Sequence, residues 1–305
     1  MFGIFGKKRE QNHLLVITLD SCRWDSFMAA EPNNIAKLCG GLDQVERRYS
    51  YAAWTAPSHY NLLTGLVPHT SPSKVYASEY YKEDLYKFKE RLGVAEAGFE
   101  AMIPHLWLPS YLKKKGYETN ALVSLPVLNP ATGINKDFDT FKLMPKHNDM
   151  MAMLDIFEEH YTTRPSKGLK GNVPQFYLMN VGETHYPYGL PDEDKNDLPH
   201  LSGINGIFRK LDDQIDESGN LTSDKESGDF MDMEMIDKCR ARQINTVRYL
   251  DQVVFPRLYD MLPNDTWVIV TADHGELFGE EGYFGHGPIM HEKVFEVPFL
   301  EGKLR

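Results

Sequence analysis

The sequence predicts an α/β fold in which a doubly wound, mainly parallel sheet carries helices on both faces. Short apolar runs predict buried parallel strands, at His13–Leu19, Thr119–Ser124, Gln175–Val181 and Thr266–Thr271. Helical patterns separate these runs, at Pro57–Leu66, His105–Lys115, Met150–His160 and Met233–Leu262. Strands that alternate with helices along a chain are typical of such a sheet.

Length and composition are those of an ordinary globular protein. The 305 residues, 42% hydrophobic and 25% charged, can form one large α/β domain over residues 1–305. The formal net charge of −11 argues against a nucleic-acid backbone or an anionic membrane as the main partner. A small-molecule or phosphorylated anionic substrate would therefore need local positive charge, which a bound metal supplies most simply.

Targeting and disulfide signals are weak. The N-terminal MFGIFGKKREQNH places apolar residues before basic ones, the reverse of a secretory signal, and no segment is apolar for about 18 residues. The cysteines Cys22, Cys39 and Cys239 are odd in number and widely spaced, which disfavours a disulfide framework. We therefore expect a cytoplasmic protein without a membrane span.

Two segments stand apart from the strand–helix alternation. Ser202–Asp232 is polar and acidic with few large apolar residues, which predicts a surface insertion or a lid. Tyr76–Ala97 mixes aromatic and charged residues and predicts an amphipathic helical cap. A solvated surface helix explains this second segment more simply than a substrate-binding role does.

Polar groups follow three of the predicted strands directly. Asp20 ends the first strand, the segment 182–185 (GETH) follows the third, and Asp273-His274 follows the fourth. Ligands of doubly wound sheets bind beyond the carboxyl ends of the strands, so these groups predict a site there. A carboxylate next to an imidazole suits Zn²⁺ or Mn²⁺, although an ordinary turn with a helix cap is the simpler explanation of an isolated Asp-His pair.

A second signal lies in Trp54–His59, at the start of a predicted helix. Pro57 fits the first helical turn, and Thr55 lies just before it. At a helix N terminus the dipole and the free backbone N–H groups can hold a phosphoryl group. The Thr55 hydroxyl becomes a competent nucleophile there if a metal lowers its pKa. Without further evidence, a helix-capping role for Thr55 is the simpler interpretation.

Three segments, in order along the chain, resemble motifs of the sulfatase-like branch of the alkaline phosphatase superfamily. Residues 20–25 (DSCRWD) resemble the family's first metal-binding strand end, and residues 53–68 resemble its nucleophile motif with the following helix. Residues 271–276 (TADHGE), followed by 285–287 (GHG) and 296–298 (EVP), resemble its C-terminal metal and substrate motif. This resemblance implies an alkaline phosphatase-like fold.

The resemblance also implies roles for individual residues. The implied metal ligands are Asp20, Thr55, Asp273 and His274, with Thr55 also the nucleophile. His185 and His286 resemble substrate-side residues that contact the anion or a second metal. Arg23 either clamps the anion or pairs with Asp25, and His291 stands where the family often has an aromatic residue. Supporting or capping roles are expected for Glu276, Asp25 and Glu183.

Departures from the true sulfatase pattern favour phosphate over sulfate. Thr55 cannot yield the formylglycine aldehyde that sulfatases make from Cys or Ser. Ser21, His59 and His274 stand where sulfatases have Asp, Arg and Asn, which favours Zn²⁺ or Mn²⁺ over Ca²⁺. We expect one firmly bound ion, with two as the alternative.

The expected activity is that of a phosphodiesterase or phosphatase. The alternatives are a phosphotransferase of the phosphoethanolamine transferase type and a sulfatase-fold protein without turnover.

Overall fold

The computed structural model describes residues 11–70, 87–95, 107–163, 173–199, 201, 232–287 and 289–304, and these are built around a seven-stranded sheet. The strands of this sheet are β1 (His13–Leu19), β2 (Glu46–Tyr49), β3 (Glu118–Val123), β4 (Thr140–Leu143), β5 (Gln175–Val181), β6 (Thr266–Ala272) and β9 (Glu296–Gly302). Their spatial order is β2-β9-β6-β1-β5-β3-β4. From β6 to β4 all neighbours are parallel, whereas β9 is antiparallel to both β6 and β2. A separate hairpin consists of β7 (Leu277–Phe278) and β8 (Phe284–Gly285).

Helices cover both faces of the sheet. They are α1 (Trp24–Ala29), α2 (Asn33–Ala36), α3 (Thr55–Leu63), α4 (Leu108–Lys114), α5 (Met150–Thr163), α6 (Met233–Tyr249), α7 (Phe255–Met261) and α8 (Glu292–Phe295). Successive side chains of a strand point to opposite faces, so Leu15 and Ile17 of β1 pack with α1, α2, α5, α6 and α7. Leu14 and Val16 pack with α3 and α4 on the other face. The predicted fold class is therefore confirmed.

The four predicted strands form with nearly the predicted bounds, since strands buried on both faces are mostly apolar. The predicted helix Met233–Leu262 is instead interrupted by a π-helical turn at Leu250–Val254. Pro256 lies in the first turn of α7, and its missing N–H removes one bond of the regular α-helical pattern there.

Two predicted segments lie outside the described residues, apart from small parts of each. Of the predicted insertion Ser202–Asp232 only Asp232 is described, and it caps α6 by accepting a hydrogen bond from Met235 N. Of the predicted cap Tyr76–Ala97 only residues 87–95 are described, with a helical turn at 87–92. All three cysteines are free thiols, as expected. Among the described residues, no helix combines the length and the apolar composition that crossing a bilayer requires.

Candidate active site

The carboxyl edge of the sheet brings the four predicted metal-site residues together. Asp20 follows β1 and Asp273 follows β6, which are parallel neighbours with Leu19 opposite Ala272. Ligand atoms of Asp20, Asp273 and His274 lie within 4.8 Å of one another. Thr55 is the first residue of α3, and its Oγ1 lies 3.3 Å from His274 Nε2 and 3.5 Å from Asp20 Oδ1. All four side chains are buried.

The two carboxylates are held differently by the surrounding chain. Asp273 Oδ1 accepts hydrogen bonds from the backbone N–H groups of Ser21 (3.0 Å) and His274 (2.9 Å). Asp273 Oδ2 is buried and has no hydrogen-bond partner. Asp20 Oδ2 accepts a 2.8 Å hydrogen bond from Asn180. Burial, together with the neighbouring charge of Asp20, raises the pKa of Asp273 well above its usual range.

His274 is arranged as a neutral ligand. Its Nδ1 lies 2.8 Å from the carbonyl oxygen of Gly275, so Nδ1 carries the proton and Nε2 offers its lone pair towards Thr55. Burial, with the nearby His286 ring, lowers the pKa of His274 to about 3. Gly275 is required by a close approach, because a Cβ there would lie 2.2 Å from Lys293 O.

These residues fit a divalent transition-metal ion. Two carboxylates and a neutral imidazole nitrogen are the donors such ions take from proteins, and an unpartnered buried carboxylate oxygen indicates where positive charge is needed. The donor set suits Zn²⁺ or Mn²⁺ and does not by itself choose between them.

Three further polar residues, His59, Thr18 and Asn180, support this cluster. Of these, only His59 was noted from the sequence, as a departure from the sulfatase motif, and no contact was predicted for it. His59 is fully buried, with Nδ1 2.8 Å from the Thr55 carbonyl oxygen and Nε2 2.9 Å from Thr18 Oγ1. Asn180 donates to Asp20 and accepts from the backbone N–H groups of residues 124 and 125. The sequence could have indicated Thr18 and Asn180, because each is a polar residue inside an otherwise apolar buried strand, and a buried polar group needs a hydrogen-bond partner. For His59 the signal was its place one helical turn after Thr55.

The two predicted substrate-side histidines lie beside the cluster. The ring of His286 is 4.2 Å from that of His274 and 5.5 Å from that of His185, measured between centroids. His286 Nδ1 is 3.0 Å from Glu276 Oε1, and His185 Nδ1 is 2.8 Å from the carbonyl oxygen of Tyr186. Burial works to lower the pKa of His286, but the hydrogen bond and the charge of Glu276 outweigh it and raise the pKa.

For Arg23, the contacts in the structure are those of the pairing alternative. The buried guanidinium makes two hydrogen bonds to Asp25, of 2.8 and 2.6 Å. Its Nη1 donates to Glu280 at 2.6 Å and to the carbonyl oxygen of Glu276 at 3.2 Å. Nε and both Nη groups are therefore engaged within the protein.

His291 and Glu183 are seen in helix-capping positions. His291 Nδ1 accepts a 3.1 Å hydrogen bond from Lys293 N at the start of α8, so a substrate-side role for His291 has no support from its contacts. Glu183 Oε1 accepts a 2.6 Å hydrogen bond from Met150 N at the start of α5. Burial raises the pKa of Glu183 to about 7.

Solved structures share this architecture at low sequence identity. The C-terminal periplasmic domain of EptC from Escherichia coli, in complex with Zn, gives a TM-score of 0.54 at 14% identity, covering 98% of this chain and 74% of that one. The soluble domain of lipooligosaccharide phosphoethanolamine transferase A from Neisseria meningitidis gives 0.53 at 14% identity, covering 98% and 79%. An alkaline phosphatase superfamily protein from Vibrio parahaemolyticus gives 0.50 at 15% identity, covering 97% and 62%. These likenesses show the fold.

Family membership rests on the sequence as well as on the fold. No curated protein matches the sequence. The family model described as Sulfatase, however, matches residues 12–300, which is nearly the whole chain and spans all three predicted motifs. The resemblance drawn from those motifs is thereby confirmed. This chain belongs to the sulfatase family of the alkaline phosphatase superfamily, whose members are mostly enzymes that act on phosphate or sulfate esters.

Proposed function

We propose that this protein is a metal-dependent hydrolase of phosphate monoesters or diesters, with Thr55 as its nucleophile. One observation carries the proposal. The Thr55 hydroxyl lies at the first turn of a nine-residue helix, 3.3 Å from His274 Nε2, beside the buried carboxylates of Asp20 and Asp273. Asp20, Asp273, His274 and Thr55 would hold the ion. When bound, a divalent metal would supply positive charge that favours the deprotonated hydroxyl and offsets charge on the phosphoryl oxygens.

The chain itself would position the substrate and carry the reaction. Backbone N–H groups at the start of α3 lack acceptors within the helix and would hold phosphoryl oxygens. The Thr55 hydroxyl gives up its proton to solvent as Oγ1 attacks phosphorus in line, the bond from phosphorus to the ester oxygen breaks as the new bond forms, and the leaving oxygen takes a proton from solvent. Water then attacks the phosphothreonine, breaks its O–P bond, releases phosphate or a phosphate monoester and restores the hydroxyl.

His185 and His286 are proposed to contact the phosphoryl oxygens. The ring Nδ1 of each is engaged by an oxygen atom, so Nε2 is the atom that faces the site, and it donates to a phosphoryl oxygen when the ring carries both protons. The alternative is that they ligate a second ion. Among the described residues, Asp20, Asp273 and His274 form the one group of three or more ligating side chains with metal-site spacing, which supports a single firmly bound ion.

Zinc is the ion we propose first. The donor set of carboxylate and imidazole groups suits it, and the similar domain of EptC from Escherichia coli was solved in complex with Zn. Manganese is compatible with the same donors. Metal analysis of the purified protein distinguishes the two.

A phosphotransferase is the second candidate. It is favoured by the name of the Neisseria meningitidis relative, lipooligosaccharide phosphoethanolamine transferase A. The first half of the reaction would be identical, and an acceptor alcohol would replace water in the second half.

A panel of nitrophenyl phosphate monoester, phosphate diester and sulfate ester tests the proposed function. We expect phosphate esters to be cleaved far faster than the sulfate ester, and Thr55→Ala to abolish the cleavage. Sulfatase activity with little phosphatase activity would contradict the proposal. Added alcohols that accept the phosphoryl group at the expense of hydrolysis would identify a transferase. The cytoplasmic location is part of the same proposal and is tested by cell fractionation.

A further inference from the structure

We propose that Glu276 and Tyr188 are positioning residues for His286, which fix the orientation of its ring and the nitrogen that it presents to the site. The inference rests on the proposed function, because the substrate-side role of His286 belongs to it. The orientation of the ring can nevertheless be measured without turnover, so the two can fail separately.

The hairpin of β7 and β8 places Glu276 opposite His286. Leu277 pairs with Gly285 and Phe278 with Phe284 in an antiparallel register. Glu276 precedes β7 and His286 follows β8, so they are the next opposed pair along the same ladder. The register therefore accounts for the 3.0 Å separation of Glu276 Oε1 and His286 Nδ1.

Tyr188 holds the carboxylate of Glu276 from the other side. The Tyr188 hydroxyl donates a hydrogen bond to Glu276 Oε2, and both side chains are buried. Because Oε2 already accepts from the hydroxyl, Oε1 is left to accept from the imidazole. His286 then carries its proton on Nδ1, and its Nε2 is the atom available to the substrate side.

Tyr188 is itself held firmly in place. Its backbone φ of 58° lies in the left-handed region, which a residue with a side chain adopts only where its surroundings enforce it. Its N–H donates a 2.8 Å hydrogen bond to His185 O, and its ring packs 5.8 Å from that of Phe278. Tyr188 thus connects the loop that carries His185 to the hairpin that carries His286.

Through this connection Glu276 orients the ring of His286, a role beyond those of a buried or helix-capping side chain. A histidine ring without this partner can flip, which turns Nε2 away from the substrate side, or it can exchange its tautomer, which changes whether Nε2 presents a proton or a lone pair there. Loss of a partner that orients a metal-ligating histidine typically costs about 10- to 100-fold in activity or metal affinity, and we expect a loss of similar size for His286.

The first test is nuclear magnetic resonance of ¹⁵N-histidine-labelled, metal-free protein at alkaline pH. We expect the proton of His286 on Nδ1 in the wild type, and a mixture of tautomers or Nε2–H in Glu276→Ala. Glu276→Gln keeps a carbonyl oxygen that can accept the same bond and should largely restore the wild-type tautomer. A wild-type protein with the His286 proton on Nε2, or a Glu276→Ala protein with an unchanged tautomer, overturns the proposal.

The second test is kinetic and uses the ester panel. Glu276→Ala should lower kcat about 10- to 100-fold, Tyr188→Phe less, and neither should add to the loss in a His286→Ala background. Glu280→Ala is the matched control, because it removes another hairpin carboxylate, one that binds Arg23 and not His286. Equal kcat losses in the control and in Glu276→Ala would overturn the proposal.

The two tests separate the inference from the proposed function. If Glu276→Ala does not fold, Tyr188→Phe, which removes a single hydroxyl, decides through the same two measurements. If no ester is cleaved, the proposed function fails and the tautomer alone decides the inference.

Discussion

Replacing Asp273 by Asn should stabilise the metal-free protein while abolishing metal binding. Asp273 and Asp20 are buried carboxylates whose ligand atoms lie within 4.8 Å. Two unit charges at that separation repel by about 3 kcal/mol at an effective dielectric constant of ~20, which is an upper limit because protonation relieves the repulsion. The Asn oxygen can still accept the two backbone hydrogen bonds that Asp273 Oδ1 accepts now. A net gain of about 1–3 kcal/mol follows.

Thermal unfolding with and without Zn²⁺ measures both effects. Wild-type protein should gain about 2.7 kcal/mol at a metal concentration 100 times the dissociation constant, and Asp273→Asn should gain nothing. Asp251→Asn is the matched control, since Asp251 is also buried but accepts from Ile35 N and Asn34 and faces no second carboxylate among the site residues. It should lower stability and leave the zinc effect intact. A metal-free Asp273→Asn protein that is less stable than the wild type, or an Asp273→Asn protein that zinc stabilises as much as the wild type, would contradict this prediction.

Three further predictions concern stability and the anion site. If the His286 ring contacts the phosphoryl oxygens, His286→Ala should cost about 2.7–4 kcal/mol of transition-state stabilisation, measured as kcat/KM. If His286→Ala instead lowers the amount of bound metal, and excess metal restores part of the activity, His286 ligates a second ion. Thr55→Ala removes hydroxyl contacts with Asp20 and His274 and no helix cap, so it should lower the free energy of unfolding of the metal-free protein by only about 1 kcal/mol, seen by denaturant titration. A larger loss would make Thr55 structural. Burial works to raise the pKa of Glu301, but Arg91 and Lys87 outweigh it and hold the pKa at about 2. The ionised Glu301 therefore stabilises the fold above pH 4.5, and this stabilisation is lost as the pH falls towards 2. The stability difference between wild type and Glu301→Gln, up to about 3 kcal/mol at neutral pH, should therefore shrink over that range, and a constant difference would contradict it.

The sequence predicts those parts of the fold in which local pattern and burial agree. Strands β1 and β5 form with the predicted bounds because parallel central strands are buried on both faces and are mostly apolar. Strands β2 and β4 were not predicted, since they are short edge strands that read ERRY and TFKL and are partly exposed. Their pairing depends on neighbours distant in the sequence, which a local pattern does not contain.

The residues of the candidate site also differ in how far the sequence could predict them. Asp20, Asp273 and His274 could be predicted because each follows a strand, and parallel strands end at one edge. Asn180 could not, because it lies inside β5 and its contact with Asp20 joins residues 160 positions apart. The competing roles of Arg23 were left open for the same reason, since its partner Glu280 is 257 positions away.

The central claim is that Thr55 attacks phosphorus, and the most direct test is to trap the phosphorylated enzyme. Protein mixed with a nitrophenyl phosphate ester and quenched in acid should carry a phosphoryl adduct on the peptide that contains Thr55, detected by mass spectrometry. The Thr55→Ala protein should show neither the adduct nor turnover. Phosphate-ester turnover that survives Thr55→Ala, or an adduct on another residue, would contradict the account.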